Sequence, residues 1–312
     1  MAELTYSIVI PVYKNEESIS RLVAVLTQMS IDLDHQMEVV FVVDGSPDKS
    51  FELLKSHMAQ MPLPVQLIAH SRNFGSFPAI RTGLAAAKGK YFGVMAADLQ
   101  EPPELLIEFF NALAADECDV AIGTRSGRND PLMSRLASGI FWTLYKKLVV
   151  KDMPAGGVDV FGCNDLFRQE LLKLEESRSS LIALIFWLGF RRKLISYERI
   201  LRQEGKSSWT LSKKIDYMMD SIFAFTDYPI RLLMKIGAIG SFASIALSLV
   251  IATARILGYI EVPGYAATIM AVLILGALNL FGLGLVGTYA WRSYENSKQR
   301  PLAVVAAKLS NQ

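Results

Sequence analysis

Five short runs rich in β-branched and aromatic residues punctuate the first part of the chain: Tyr6–Val12, Met37–Val43, Val65–His70, Tyr91–Met95 and Val120–Gly123. Such near-continuous apolar runs predict strands buried on both faces, as in a parallel sheet covered by helices. Between them the apolar positions fall three and four apart. Ile19, Leu22, Val23 and Leu26 form one such set, and Leu105, Leu106, Phe109, Phe110 and Leu113 another. That spacing lays a single apolar stripe along a helix. Strand and helix alternating in this way predict an α/β domain with a mostly parallel sheet. Its ligands are then expected outside the carboxyl ends of the strands.

From Ile230 the pattern changes character. No charged residue interrupts Ile236–Ala254, and a second uncharged run extends from Val262 to Trp291. Each is long enough to cross a hydrocarbon core, which takes about 20 residues of helix. Tyr259, Tyr265, Tyr289 and Trp291 lie near the ends, where interfacial aromatics belong. Lys213, Lys214, Arg231 and Lys235 precede the first run, and Arg292, Lys298 and Arg300 follow the second. Only Arg255 is positive between them, which predicts two spans with both flanks cytoplasmic. A buried helical hairpin in a soluble domain is the alternative, though its helices are usually shorter. Ahead of the spans, Ile215, Met218, Met219, Ile222, Phe223 and Phe225 form a stripe beside Lys213 and Lys214. It fits an interfacial helix or a plain core helix. The expected organisation is an α/β domain over residues 1–211, an amphipathic helix over 212–229, and two spans with a short cytoplasmic tail over 230–312. Met1-Ala-Glu-Leu-Thr leads straight into the first strand without the pattern of a signal peptide, so the domain is expected in the cytoplasm.

Composition narrows the function classes. The 312 residues are 52% hydrophobic with a net charge of +2, which lacks the dense basic surface of a nucleic-acid binder. Cys118 and Cys163 have no CxxC spacing and only three histidines accompany them. Buried thiols are therefore expected in place of a zinc cluster. A literal GxGxxG at Gly282, Gly284 and Gly287 lies inside the second apolar run with no strand before it. It reads as helix packing, not as a nucleotide loop.

The polar signals gather where the predicted strands end. The first strand runs into Pro11-Val-Tyr-Lys-Asn-Glu16 and the second into Asp44-Gly-Ser-Pro-Asp48. A carboxylate there can accept hydrogen bonds from a base or a ribose. Ser46 or Asp48 can equally cap a helix carrying Phe51 and Leu54, so both readings of the turn stay open. After the fourth strand, Asp98 and Gln100 stand at alternate positions and could share a divalent cation, although an ordinary turn has the same composition.

Taken with Ser71-Arg-Asn-Phe-Gly75, Ala97–Pro103, Gly123-Thr-Arg125 and the two apolar runs, these segments resemble the family-two glycosyltransferases of GT-A fold. Within that family they look like the polyprenyl-phosphate glycosyltransferases, the group of dolichol-phosphate mannose synthases and bactoprenol glucosyltransferases. The resemblance implies a Rossmann-like GT-A catalytic domain followed by two transmembrane helices in the bacterial inner membrane. It implies transfer of a sugar, glucose first, from a nucleotide donor, UDP first, to undecaprenyl or another polyprenyl phosphate with inversion. Pro11, Tyr13, Glu16 and Asp44 would then bind the nucleoside, and Asp98 and Gln100 would hold Mg²⁺ or Mn²⁺ on the diphosphate. Asp159 and Arg202 would be the catalytic pair, with Arg202, Lys206 and Trp209 on the acceptor phosphate. A homo-oligomer is compatible with this reading.

Three positions depart from the family pattern: Ala96 and Val43 each replace an acid, and Ser208 stands where a lysine is usual, with Lys206 nearby. They leave room for a protein that binds a sugar nucleotide or lipid without turnover. A scaffold for a flippase or transferase, packing through Gly237, Gly240 and Ser244, is a further alternative. Arg191, Arg192 and Lys193 are expected either to meet anionic headgroups or to form a solvated cluster.

Overall fold

The structure, a computed structural model, describes residues 4–125, 146, 154, 158–176, 179–200, 211–259 and 264–311. They form two compact units, Met1–Met218 with Arg300–Gln312, and Met219–Gln299.

The first unit is built on an eight-stranded sheet. Its strands are β1 (Tyr6–Val12), β2 (Met37–Val43), β3 (Val65–His70), β4 (Tyr91–Val94), β5 (Val120–Arg125), β6 (Val158–Asn164), β7 (Arg192–Tyr197) and β8 (Val305–Ser310), in the order β7-β5-β6-β4-β1-β2-β3-β8. β4, β1, β2 and β3 are mutually parallel. β5 pairs in parallel with β7, while β6 runs antiparallel between β4 and β5. β8 adds to the far edge antiparallel to β3.

The predicted helical stripes lie on α1 (Ile19–Asp32) and α4 (Pro103–Ala114), alongside α2 (Ser50–Met58) and α3 (Ser76–Ala86). Leu22, Leu26, Phe109 and Phe110 are fully buried in one core with Ile8, Ile10 and Phe41. The other sheet face meets α3 so closely that a Cβ on Gly83 would come within 2.2 Å of Val9 Cγ1. All seven residues of β2 are buried, as a central strand covered on both faces requires. Cys118 and Cys163 are buried free thiols, and burial pushes both thiol pKa values up.

α5 (Asp165–Lys173) starts on an Asn164 cap and α6 (Leu181–Trp187) on a Ser180 cap. α7 (Leu211–Phe225) falls where an amphipathic helix was expected, and Tyr217 from it packs 5.9 Å from the Phe77 ring. The second unit holds the end of α7 and two long helices, α8 (Tyr228–Ile256, 29 residues) and α9 (Tyr265–Ser297, 33 residues). Arg292 of α9 pairs with Asp220 at 2.5 Å, and Tyr289 lies edge-on to Phe223 at 5.2 Å. Both long helices leave large apolar side chains exposed, Phe242 and Val250 on α8 and Leu280 and Phe281 on α9 among them. The two-span expectation is met in part. Among the described residues one stretch, Ile274–Ser297, is long and apolar enough to cross a membrane. Gly282, Gly284 and Gly287 lie within α9 and not in a strand-to-helix loop.

Candidate active site

Strand order reverses between β1 and β4, since the chain winds outward from β1 through β2 to β3 and resumes on its other side. A crevice at such a switch point, outside the carboxyl ends of the strands, is where α/β sheets bind ligands. The segments lining it are residues 13–16 after β1, 44–50 after β2, 71–75 after β3 and 95–102 after β4.

The first two segments interlock. The N–H groups of Lys14 and Glu16 donate to Ser46 Oγ at 2.8 Å and Asp48 Oδ2 at 3.1 Å, and Lys49 N–H donates to Glu16 Oε2 at 2.9 Å. Asp48 also accepts from the Ser50 N–H and hydroxyl, so it does serve the start of α2. Burial pushes its pKa up, but the hydroxyls of Ser46 and Ser50 and the N–H groups of Glu16 and Ser50 outweigh this and leave it below the ordinary value. Pro11 costs the sheet nothing, because β4 pairs with β1 only as far as Val9 and the proline nitrogen has no ladder partner to lose on that side.

Asp44 turns inward. It is 2% exposed, and its Oδ1 accepts from Phe74 N–H at 2.9 Å and faces His70 Nδ1 at 2.8 Å, while Oδ2 accepts from Gly75 N–H at 2.7 Å. The direct nucleoside contact expected of it meets a carboxylate already engaged on both oxygens. Gly45 has φ +57, and a Cβ there would lie 2.2 Å from the Arg72 carbonyl carbon, so only glycine fits.

The turn after β4 is pinned by Ser18, whose hydroxyl donates to Ala97 O at 2.9 Å. Leu99, between Asp98 and Gln100, has φ +53, a conformation a bulky residue adopts at a cost and one that clusters at functional sites. Arg199 Nη2 donates to Gln100 Oε1, and Ile200 N–H donates to Gln100 O at 2.9 Å. No group of three or more His, Cys, Asp or Glu side chains converges among the described residues. One carboxylate and an amide oxygen do not make a cage by themselves. The Asp98 carboxylate suits a Mg²⁺-like ion, which usually binds through one or two carboxylates, substrate phosphates and water, whereas Gln100 Oε1 is already taken by the Arg199 guanidinium.

Residues 7–174 match the family model described as Glycosyl transferase family 2. The chain belongs to this family. An undecaprenyl-phosphate 4-deoxy-4-formamido-L-arabinose transferase of Edwardsiella ictaluri is 31% identical over 95% of this chain and 91% of that one. A prophage bactoprenol glucosyl transferase homolog of Escherichia coli is 28% identical over 96% and 97%. Among solved structures, S. aureus TarS in complex with UDP-GlcNAc is similar at TM-score 0.48 and 16% identity, over 70% of this chain and 66% of that one.

As a family 2 glycosyltransferase, the chain sets its remaining expected site residues as follows. Asp159 stands near the start of β6, beside Val158, which pairs with Thr124 of β5. β6 is antiparallel to β4, so Asp159 shares the end of the sheet at which β4 releases Asp98. Arg202, Lys206 and Trp209 lie outside the described residues. The Arg191–Lys193 cluster is held by neighbouring groups. Arg191 pairs with Asp116 at 2.6 Å and Asp119 at 3.0 Å, Lys193 pairs with Glu117, and Arg192 donates to Phe186 O. The bond from Arg191 holds the Asp119 carboxyl below its ordinary pKa. Three neighbouring acids and a backbone carbonyl thus hold the cluster at the surface. Sequence reasoning missed His70, Gly45 and Arg199 at the site. A glycine directly after the strand-ending Asp44 was a signal for a close backbone approach. Nothing local marked His70 or Arg199.

Proposed function

We propose that this family 2 glycosyltransferase moves a sugar from a nucleotide donor to the phosphate of a membrane polyprenol, with UDP-glucose and undecaprenyl phosphate as the first pair to test. The observation that carries the reading is the meeting of the Tyr13–Glu16, Asp44–Ser50, Ser71–Gly75 and Asp98–Gln100 segments at one switch point, on a chain that also carries long exposed apolar helices. The names of the full-length relatives, a bactoprenol glucosyl transferase homolog and an undecaprenyl-phosphate transferase, support the same acceptor class.

In this reading Pro11, Tyr13, Glu16 and Asp44 form the nucleoside end of the site and Asp98 with Gln100 faces the diphosphate. A Mg²⁺ or Mn²⁺ ion bound there would neutralise charge developing on the departing diphosphate. A lipid phosphate oxygen attacks the anomeric carbon as the bond to the nucleoside diphosphate breaks, giving inversion. That phosphate, with a second pKa of about 6, is mostly ionised at neutrality and needs little help from a base. Asp159 then orients the acceptor or a sugar hydroxyl, and Arg202, Lys206 and Trp209 engage the acceptor phosphate. Near-normal turnover in Asp159→Asn would support orientation, because a general base could not be replaced by an amide.

Residues 1–211 act as the catalytic domain, 212–229 as the juxtamembrane helix and 230–299 as an inner-membrane anchor with two crossings, while the tail, 300–312, expected as a short free cytoplasmic end, instead rejoins the catalytic domain. The return of residues 305–310 to the catalytic sheet as β8 supports an even number of crossings, with both ends on the cytoplasmic side. Confining the domain beside the bilayer raises the effective concentration of the lipid acceptor. Ala96, standing where the family resemblance implies an acid, favours a second reading, a binding protein without turnover. Transfer of labelled sugar into the organic phase by the purified protein in lipid separates the two.

A further inference from the structure

The side chain that organises the candidate donor site from behind is His70, the last residue of β3. It is 4% exposed, with Nδ1 2.8 Å from Asp44 Oδ1 and Nε2 3.0 Å from Thr82 Oγ1 on α3. Its ring also meets Phe74 edge-on at 5.6 Å. Asp44, held on one side by the imidazole, accepts the N–H groups of Phe74 and Gly75 on the other. The Ser71–Gly75 loop is therefore hung from a carboxylate whose own orientation depends on His70. Two further contacts clamp the same loop. The Ser71 N–H donates to Val304 O at 2.9 Å, just ahead of the pairing of Val305 with His70, and Gly45 lies directly against the backbone of Arg72 and Asn73. The exposed product of this arrangement is Arg72, whose guanidinium lies 4.0 Å above the Phe74 ring at the edge of the crevice.

We propose that His70 is a positioning residue for the nucleotide donor, acting through Asp44 on the Ser71–Gly75 loop, and that Asp44 serves the nucleoside by shaping that loop. The inference rests on the reading of this crevice as the donor site. Without the imidazole, Asp44 Oδ1 loses one of its two partners, and the carboxylate that fixes both loop N–H groups is itself held less firmly. The effect belongs to donor binding and not to the chemical step, because His70 and Asp44 are buried behind the loop and act through it.

The test compares full-length wild type, His70→Leu and His70→Asn in lipid nanodiscs. UDP and GDP binding are measured by calorimetry, and transfer from UDP-glucose to undecaprenyl phosphate is measured kinetically. Leucine keeps the apolar bulk without a hydrogen bond, whereas the asparagine amide restores a donor near the Nδ1 position. The expected result is a UDP Kd and donor KM raised about tenfold in His70→Leu, as loss of one bond to a charged group predicts. The kcat and acceptor KM stay within about twofold, and His70→Asn recovers most of the loss. Unchanged UDP affinity in His70→Leu overturns the proposal, as does equal weakening in both variants, which would mark a packing role. Should His70→Leu fail to fold, Thr82→Val frees the far side of the ring, and an unchanged Kd there overturns it too. Wild type that binds neither nucleotide removes the donor-site reading itself, a failure distinct from one confined to His70.

Discussion

Individual residues at the crevice are fixed by backbone geometry as much as by side-chain chemistry. Gly45 illustrates this: an L-residue at φ +57 costs about 1–2 kcal/mol, before counting a Cβ placed 2.2 Å from the Arg72 carbonyl carbon. Gly45→Ala is expected to lower stability by about 2–4 kcal/mol and to weaken nucleotide binding, read by thermal unfolding and calorimetry. Unaltered binding would show that the loop is not part of the donor site. Asp48 makes a pH-dependent contribution. Its folded pKa lies below the ordinary value of 3.8, so its stabilisation is complete above that value and is lost as pH falls through the folded pKa. The difference in unfolding midpoint between wild type and Asp48→Asn should be largest at neutral pH and shrink below about pH 4. A difference that grows in acid would contradict the assignment. The motif residues were legible because turn residues and acids clustered at strand ends, whereas the His70–Asp44 pair was not, since its partners are 26 residues apart and meet only through strand pairing.

Among the elements, β1 to β5 were readable from apolar runs, with ends within two residues of those observed, and α1 and α4 from apolar stripes that fall within them. β6, β7 and β8 were not, for a shared reason. β6 is interrupted by Asp159, Gly162 and Asn164, and β7 and β8 are edge strands with mostly exposed positions. Their strand character comes from the partner they pair with and not from an apolar period. β8 carries weight all the same. Asn311 beyond it accepts from Val65 N–H at 2.8 Å and donates to Met58 O and Leu63 O, both at 3.1 Å. Asn311→Ala should cost about 1–3 kcal/mol by leaving the Val65 N–H without its partner. In a chain cut after residue 303, hydrogen exchange at Ser71 and along β3 should quicken. Exchange unchanged at those amides would show that the tail is dispensable to the loop.

For the whole molecule, the central consequence is that a chain leaving the catalytic sheet for two long apolar helices comes back to it. That path requires residues 219–299 to begin and end on one side of any membrane they enter. With Cys118 and Cys163 buried, single cysteines report cleanly. Leu257→Cys, exposed between the long helices, should react with a membrane-impermeant maleimide from outside intact cells, and Ser310→Cys only after permeabilisation. Labelling of both from outside, or of neither, would refute the hairpin. The surroundings of Asp98 and Gln100 were only partly legible, because Ala96 stands where the expected motif has a second acid and the Arg199 contact with Gln100 comes from 99 residues away. The account is tested most directly by a transfer assay with purified protein in lipid, undecaprenyl phosphate, Mg²⁺ or Mn²⁺ and a panel of radiolabelled nucleotide sugars, beside Asp98→Ala. Label entering the organic phase with one donor, and lost in Asp98→Ala, is the predicted result. No lipid product from any donor, in folded protein that still binds nucleotide, would contradict it.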